Sequence, residues 1–195
     1  MALKILFFSM INNLKNISLR PLCVDLDGTL ITTDSLYCSF LLLLKKNCLK
    51  AIMALLQLVK GKWAFKRYLA DQVQLDPSTL PYNLELLAWL KAEKAKGREI
   101  ILATASEQRI GERIANYLGL FTDCVGSQGK LNLKSRNKAA ELNQRYGKRQ
   151  YDYAGNHHAD YPIWQDAHDA IVVNASAIVL KRAKKIANVT KVIPK

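Results

Sequence analysis

Val24-Asp25-Leu26-Asp27-Gly28-Thr29-Leu30 places two carboxylates one residue apart, directly after the apolar run that ends at Val24. A short apolar run of this kind is typical of a buried strand in a parallel sheet. Open α/β sheets bind their ligands at the carboxyl ends of strands, so both acids are expected in a site. Two carboxylates this close either attract a hard divalent cation, of which Mg²⁺ is the expected one, or divide the roles of nucleophile and proton donor.

The rest of the chain alternates apolar runs with helical patterns. The expected strands cover residues 22–24, 99–104, 123–126, 151–155 and 170–174. Helical patterns lie between them at 83–96, 107–118 and 137–146, and each is closed by a glycine, as a helix C-terminus prefers. Strands that alternate with helices of this length predict an α/β fold with a parallel sheet.

About sixty residues separate the first strand from the helical pattern near Asn83. Their apolar residues recur at spacings near three and four, which predicts helices. The helical pattern therefore forms an insertion above the sheet. Its aromatic residues Trp63, Phe65 and Tyr68 are expected in a core first and against a substrate second.

The formal charge of +13 is confined to two segments of the chain. Residues 35–70 contain seven basic and no acidic side chains, and residues 170–195 contain six basic and no acidic ones. Such fields attract phosphorylated substrates, anionic lipid or nucleic acid, whereas a solvated basic face is the plainer alternative. The sequence has no zinc-finger spacing or aromatic nucleic-acid signature, so we expect no specific nucleic-acid partner.

Four segments carry a resemblance to a known family. Asp25-Leu26-Asp27-Gly28-Thr29-Leu30 resembles the first motif of the haloacid dehalogenase superfamily of phosphotransferases. Residues 100–104, which end in Thr104, are similar to its second motif, and Lys138 to its third. Gly155-Asn156-His157-His158-Ala159-Asp160 resembles the acidic fourth motif, usually G-D-x-x-x-D, except at Asn156.

Within that superfamily, the chain looks like the module fused ahead of membrane prenyltransferases of the ubiquinone-biosynthesis kind. The similarity lies in residues 82–90, 102–106, 132–134 and 153–164, and Asn at the position of Asn156 is usual in that module. The resemblance implies a Rossmann-like three-layer α/β/α core with a parallel sheet, formed by residues 21–31 and 82–180. It also implies a small helical cap inserted after the first strand, at 32–81. Residues 181–195 are expected to be a basic C-terminal tail, although the wider segment 176–195 also fits a linker or a final packing element.

The resemblance also implies roles for six residues. Asp25 is the expected nucleophile, which forms an aspartyl-phosphate, and Asp27 protonates the leaving oxygen and then activates water. Thr104 and Lys138 are expected to bind the phosphate, with a strand-end Thr and a surface Lys as the alternatives. The expected ligands of Mg²⁺ are Asp25, the backbone carbonyl of Asp27, Asn156 and Asp160. Asp160 is expected to act either directly or through water. Ser106 is a weaker alternative to Thr104, and His157 and His158 are left outside the site.

The expected enzyme is a Mg²⁺-dependent phosphatase of a small or lipid-linked phosphomonoester. A phosphotyrosine protein phosphatase is one alternative, and a catalytically weak phosphate-binding or regulatory module is another. The expected location is the cytoplasm, with peripheral contact to an anionic membrane surface through the basic segments. The apolar residues 5–8 lack a signal-peptide cleavage site, so residues 1–10 are expected to be a packing or surface segment.

Overall fold

The computed structural model describes residues 19–194, so the expectation for residues 1–10 lies outside the described part of the chain. Six parallel strands form one sheet in the order β3-β2-β1-β4-β5-β6. The strands are β1 (Leu22–Val24), β2 (Ile100–Glu107), β3 (Asp123–Ser127), β4 (Asp152–Gly155), β5 (Ala170–Val173) and β6 (Val189–Ile193). The first strand is therefore central, with β2 on one side and β4 on the other.

Helices cover both faces of this sheet. They are α1 (Ser35–Lys46), α2 (Cys48–Leu56), α3 (Lys62–Gln72), α4 (Leu84–Ala95), α5 (Gln108–Leu118), α6 (Arg136–Tyr146), α7 (Tyr161–Asp166) and α8 (Ala177–Ile186). Short 3-10 helices occur at Gln57–Lys60, Pro77–Thr79 and His158–Asp160. The three helices predicted at 83–96, 107–118 and 137–146 appear as α4, α5 and α6, each within one residue of its expected start and end.

Side chains of β1 point alternately to the two faces, and two cores result. Leu22 and Val24 pack with α4 and α5, whereas Cys23 packs with α6, α7 and α8. This arrangement is the three-layer α/β/α fold that the sequence predicts.

The helices α1 to α3 lie between β1 and α4 in the chain and share a small core of their own, formed by Leu43, Ala51, Ala54, Phe65, Leu69 and Val73. The Asp34 carboxylate caps α1 by accepting a hydrogen bond from the Tyr37 N–H at 2.9 Å. No helix within residues 19–194 is long and apolar enough to cross a membrane.

The prediction of a basic tail at 181–195 is wrong for the residues that the structure describes. Residues up to Ile186 complete α8, and Val189–Ile193 form β6, which pairs with β5. The basic side chains favoured the prediction of a tail over that of a final packing element. Those of α8 are exposed. In β6 the Lys191 ammonium lies 5.4 Å from the centre of the Trp89 ring.

Candidate active site

Asp25 follows β1 directly and remains part of the sheet. Its N–H donates to the carbonyl of Ala154 in β4 at 2.9 Å, so the backbone fixes the direction of its side chain. Only 9% of Asp25 is exposed. The carboxylate thus lies at the carboxyl ends of the central strands, as expected from the sequence.

Lys138, in the first turn of α6, reaches across to Asp25. Its ammonium donates to the Asp25 Oδ1 at 2.6 Å and to the Ala103 carbonyl at 2.8 Å. Only 3% of Lys138 is exposed, so it is not a surface lysine. Burial raises the pKa of Asp25 above its ordinary value, and the positive charge of Lys138 partly offsets that increase.

Tyr153 is a residue of this network that the sequence analysis treated only as part of a strand. Its hydroxyl accepts a hydrogen bond from the Lys138 ammonium at 3.0 Å and donates to the Asp160 Oδ1 at 3.0 Å. The other oxygen of Asp160 accepts the backbone N–H groups of Asn156 and His157 at 3.0 and 2.9 Å. Burial and the neighbouring carboxylates raise the pKa of Tyr153 well above its ordinary value, so it remains a donor.

Asp27 lies beside Asp25 but is held by different partners. Its Oδ1 accepts the N–H of Ser35, the first residue of α1, at 2.6 Å, and its Oδ2 accepts the Ser106 hydroxyl at 2.7 Å. Burial raises the pKa of Asp27 to about 6, and the charge of Asp25 adds to the increase. A carboxyl with this pKa exists in both protonation states near neutral pH.

Thr104 and Ser106 both lie near the end of β2. Thr104 is fully buried, and its hydroxyl oxygen accepts the Ser106 N–H at 2.9 Å. That contact uses an oxygen lone pair and leaves the hydroxyl hydrogen for another acceptor. Ser106 instead binds Asp27, so its role differs from the alternative to Thr104 that the sequence suggested. In the sequence, the pattern Thr-x-Ser at a strand end is the signal that could have revealed this pair.

Gly28 allows the loop after β1 to approach Asn156. It has a φ of 75°, and a Cβ at this position would collide with the Asn156 side-chain amide. The first and fourth motifs are therefore in direct contact. The side chain of Asn174, which sequence reasoning missed, donates to the Gly28 carbonyl at 3.2 Å.

A cavity of about 220 Å³ lies between α3 and the core. On its wall the Lys66 ammonium donates to the Ala105 carbonyl at 2.7 Å and to the Asn132 side chain at 3.0 Å. Burial lowers the pKa of Lys66, and the charge of Asp27 partly offsets the decrease. Trp63 also lines this cavity, whereas Phe65 is buried among α1 to α3.

Comparison with known families identifies the chain. The sequence model of the haloacid dehalogenase-like hydrolases matches residues 22–165, which include all six predicted site residues. The chain belongs to this family. The membership confirms the family that the four sequence motifs resemble.

Individual proteins are similar to the chain in sequence or in fold. The chain is 37% identical over 153 residues to the protein y4nM of Sinorhizobium fredii; the match spans 78% of this chain and 30% of that longer protein. A protein of unknown function from Bordetella pertussis Tohama I has the same fold, with a TM-score of 0.64, 14% identity and coverage of 89% and 97% of the two chains. A phosphoserine phosphatase in a form described as a phospho-aspartyl intermediate analogue has a TM-score of 0.59, 14% identity and coverage of 90% and 93%.

The donor set of the site fits a hard cation. Asp25, the Asp27 backbone carbonyl and the Asn156 side chain offer oxygen atoms of the kind that Mg²⁺ prefers. Of the two expected roles of Asp160, as a ligand directly or through water, its hydrogen bonds favour the second, because one oxygen accepts the Tyr153 hydroxyl and the other accepts two N–H groups of the loop that contains Asn156. The Asp27 carboxylate is likewise engaged, so its backbone carbonyl is the available atom.

A second acidic group lies at the opposite, amino-terminal ends of the strands. Asp152, His168 and Asp169 bring ligand atoms within 4.8 Å of one another. Arg98 pairs with Asp152, and Arg20 pairs with both Asp152 and Asp169. The two guanidinium groups already neutralise these carboxylates, so the group is an ion-pair network and not the expected metal centre.

Proposed function

We propose that this haloacid dehalogenase-like hydrolase is a Mg²⁺-dependent phosphatase of a small phosphomonoester. The observation that carries the proposal is the buried pair of Asp25 and Lys138, 2.6 Å apart, at the carboxyl ends of the central strands. A carboxylate nucleophile with a fixed cation beside it suits attack on an anionic phosphate.

In the first step, an Asp25 oxygen forms a bond to phosphorus while the bond from phosphorus to the ester oxygen breaks. Asp27 gives its proton to the departing oxygen, which leaves as an alcohol. In the second step, Asp27 takes a proton from water, whose oxygen bonds to phosphorus and releases inorganic phosphate from Asp25. The pKa of Asp27, raised by burial to about 6, supports both transfers.

The remaining residues stabilise the transferring group. The Thr104 hydroxyl donates to a phosphate oxygen, and Lys138 balances the charge that Asp25 and the phosphate bring together. Asp25, the Asp27 carbonyl and Asn156 would hold Mg²⁺, with Asp160 acting through water. Bound Mg²⁺ would reduce the repulsion between the anionic nucleophile and the phosphate.

The cavity beside α3 supports a small leaving group. Its volume of about 220 Å³ suits a small organic group, and its walls carry Lys66, Arg67 and Arg109 together with Asp71 and Glu107. Arg109 pairs with both acids, so Lys66 and Arg67 are the cations that remain to favour further negative charge on the leaving group. The fold neighbour named as a phosphoserine phosphatase is consistent with this class.

The first experiment measures hydrolysis of para-nitrophenyl phosphate with Mg²⁺ and with a chelator. We expect turnover only with Mg²⁺, and a loss of at least about a thousandfold in Asp25→Asn. Asp123→Asn removes an exposed acid at the start of β3 and is the control, with unchanged turnover expected. Mass spectrometry of acid-quenched enzyme should show one added phosphoryl group on the wild type and none on Asp25→Asn.

Two results would redirect the assignment. Turnover that persists in Asp25→Asn contradicts the nucleophile. An inert wild type that still binds phosphate favours the binding module, which a panel of phosphorylated metabolites and a phosphotyrosine peptide then tests. Preference for the phosphopeptide in that panel would favour a protein phosphatase over the proposed small-molecule enzyme.

A further inference from the structure

Helix α2 is folded with its large apolar side chains outward. It buries only Ala51 and Ala54 against α1 and α3. Its exposed face carries Leu49, Ile52, Met53, Leu55 and Leu56. A helix packed only for the stability of its own domain in water places its large apolar residues inward, because burial of each stabilises the fold.

The exposed apolar surface continues through the 3-10 helix that follows. Leu58 and Val59 are 44% and 90% exposed, and Leu49 at the other end is 70% exposed. We call these seven large residues within 49–59 the apolar face. Tyr37, Leu42 and Leu44 on the neighbouring α1 are also exposed. In the rest of residues 19–194, exposed large apolar side chains such as Leu84 and Ile178 are far apart along the chain, which is normal for a protein surface.

Lysines flank the apolar face along the chain. Lys45 and Lys46 end α1, Lys50 is on α2, Lys60 ends the 3-10 helix and Lys62 begins α3; all five are exposed. The sequence has no acidic residue from 35 to 70. A partner surface that complements the apolar face is therefore apolar at its centre and negatively charged around that centre.

We propose that the apolar face binds the surface of an anionic lipid bilayer, with its large side chains among the acyl chains and its lysines at the headgroups. Amphipathic helices with lysine-rich edges bind membranes in this way, lying in the interface without crossing it. A second copy of the chain is a poorer occupant, because pairing two such faces brings the two sets of lysines together.

The experiment is co-sedimentation of the full chain with vesicles of phosphatidylcholine, with and without phosphatidylglycerol. We expect binding to the anionic vesicles that weakens with added salt. Ile52→Ser with Leu56→Ser should lower the affinity at least about tenfold. The matched control is Leu84→Ser with Ile178→Ser, which removes two apolar side chains of the same kind from other surfaces and should leave binding unchanged, although these two are even more exposed than Ile52 and Leu56.

Two further variants, each with three substitutions, separate the effect of lysine position on binding from the effect of total charge. Lys45→Gln, Lys46→Gln and Lys50→Gln together should weaken binding, by about fivefold for each lysine that lies near the headgroups. Lys181→Gln, Lys184→Gln and Lys185→Gln change the net charge equally on α8 and should have a much smaller effect. Circular dichroism verifies the fold of every variant, and Leu49→Ser with Met53→Ser repeats the test if the first pair unfolds.

Three results would overturn the proposal. They are absence of binding to anionic vesicles, equal losses in the apolar-face variant and its control, and a dimer in light scattering that Ile52→Ser with Leu56→Ser dissociates. The last result would make the apolar face an interface between two copies. None of these readouts requires phosphatase activity, so the proposal can fail independently of the proposed function.

Discussion

Tyr153→Phe isolates the hydroxyl that joins Lys138 to Asp160. The ring of Tyr153 is fully buried and would keep its packing in the variant, so only the two hydrogen bonds of the hydroxyl are lost. Both partners are buried, with 3% of Lys138 and 4% of Asp160 exposed, and water cannot readily replace the missing group. The prediction is therefore a loss of stability that reports on the network itself.

The expected magnitude follows from the charges of the partners. A hydrogen bond to a charged group contributes about 1.5–3 kcal/mol, and a buried acceptor left without its donor adds a desolvation cost. Lys138 keeps two of its three acceptors, so its share is at the low end. We expect Tyr153→Phe to lower the free energy of unfolding by about 3 kcal/mol.

Tyr151→Phe is the matched control. Tyr151 is also fully buried, but its hydroxyl donates to the neutral side chain of Asn143 at 3.1 Å. Loss of that bond should cost about 1 kcal/mol. Urea unfolding followed by circular dichroism measures both variants, and turnover of para-nitrophenyl phosphate should fall only in Tyr153→Phe, because Lys138 is then less firmly placed beside the nucleophile. Losses of stability equal within about 0.5 kcal/mol would refute the reasoning, since the charged partners would then contribute nothing extra.

Three further variants test other parts of the structure. Gly28→Ala forces a Cβ into the Asn156 side chain at a φ of 75°, so thermal unfolding should show a loss of about 1–3 kcal/mol and turnover should fall at least about tenfold; unchanged turnover contradicts the contact. Lys66→Met removes a cation from the cavity wall together with its hydrogen bonds to Ala105 and Asn132, so we expect KM to rise severalfold in steady-state assays and stability to fall by about 1–3 kcal/mol; an unchanged KM contradicts a role in binding. Arg98→Met leaves the Asp152 carboxylate with less compensation and should cost about 3–5 kcal/mol in urea unfolding, whereas a loss below about 1 kcal/mol would show that the pair contributes little.

The parts of the molecule that sequence predicted well are those in which local pattern and chemistry agree. Asp25 follows an apolar run, and a buried strand before two acids has few interpretations in an α/β chain. Asn83 and Gly119 mark helix ends because an Asn side chain satisfies free N–H groups and a glycine adopts the left-handed conformation without strain. These signals are contained within a few residues, so they can be read without knowing the fold.

The parts that sequence missed depend on contacts between distant residues. Tyr153 has the ordinary appearance of a strand residue, and only the packing of β4 against α6 brings its hydroxyl to Lys138. The bond between Asp27 and Ser106 joins residues 79 positions apart. No local pattern encodes such pairs. They therefore had to be found in the structure.

Helix α2 shows a different limit of pattern reasoning. The spacing of Ile52, Leu55 and Leu56 predicts a helix correctly, because periodicity reflects helical geometry regardless of what the apolar side faces. To conclude from the apolar side of a helix that it packs in a core, one must assume that only the polar side of the helix faces water. In α2 the close contact with α1 and α3 is made by Ala51 and Ala54, whose small side chains permit close approach, and the large side chains remain outside. The same pattern is therefore compatible with a core or with a membrane surface, and vesicle binding is the measurement that separates the two.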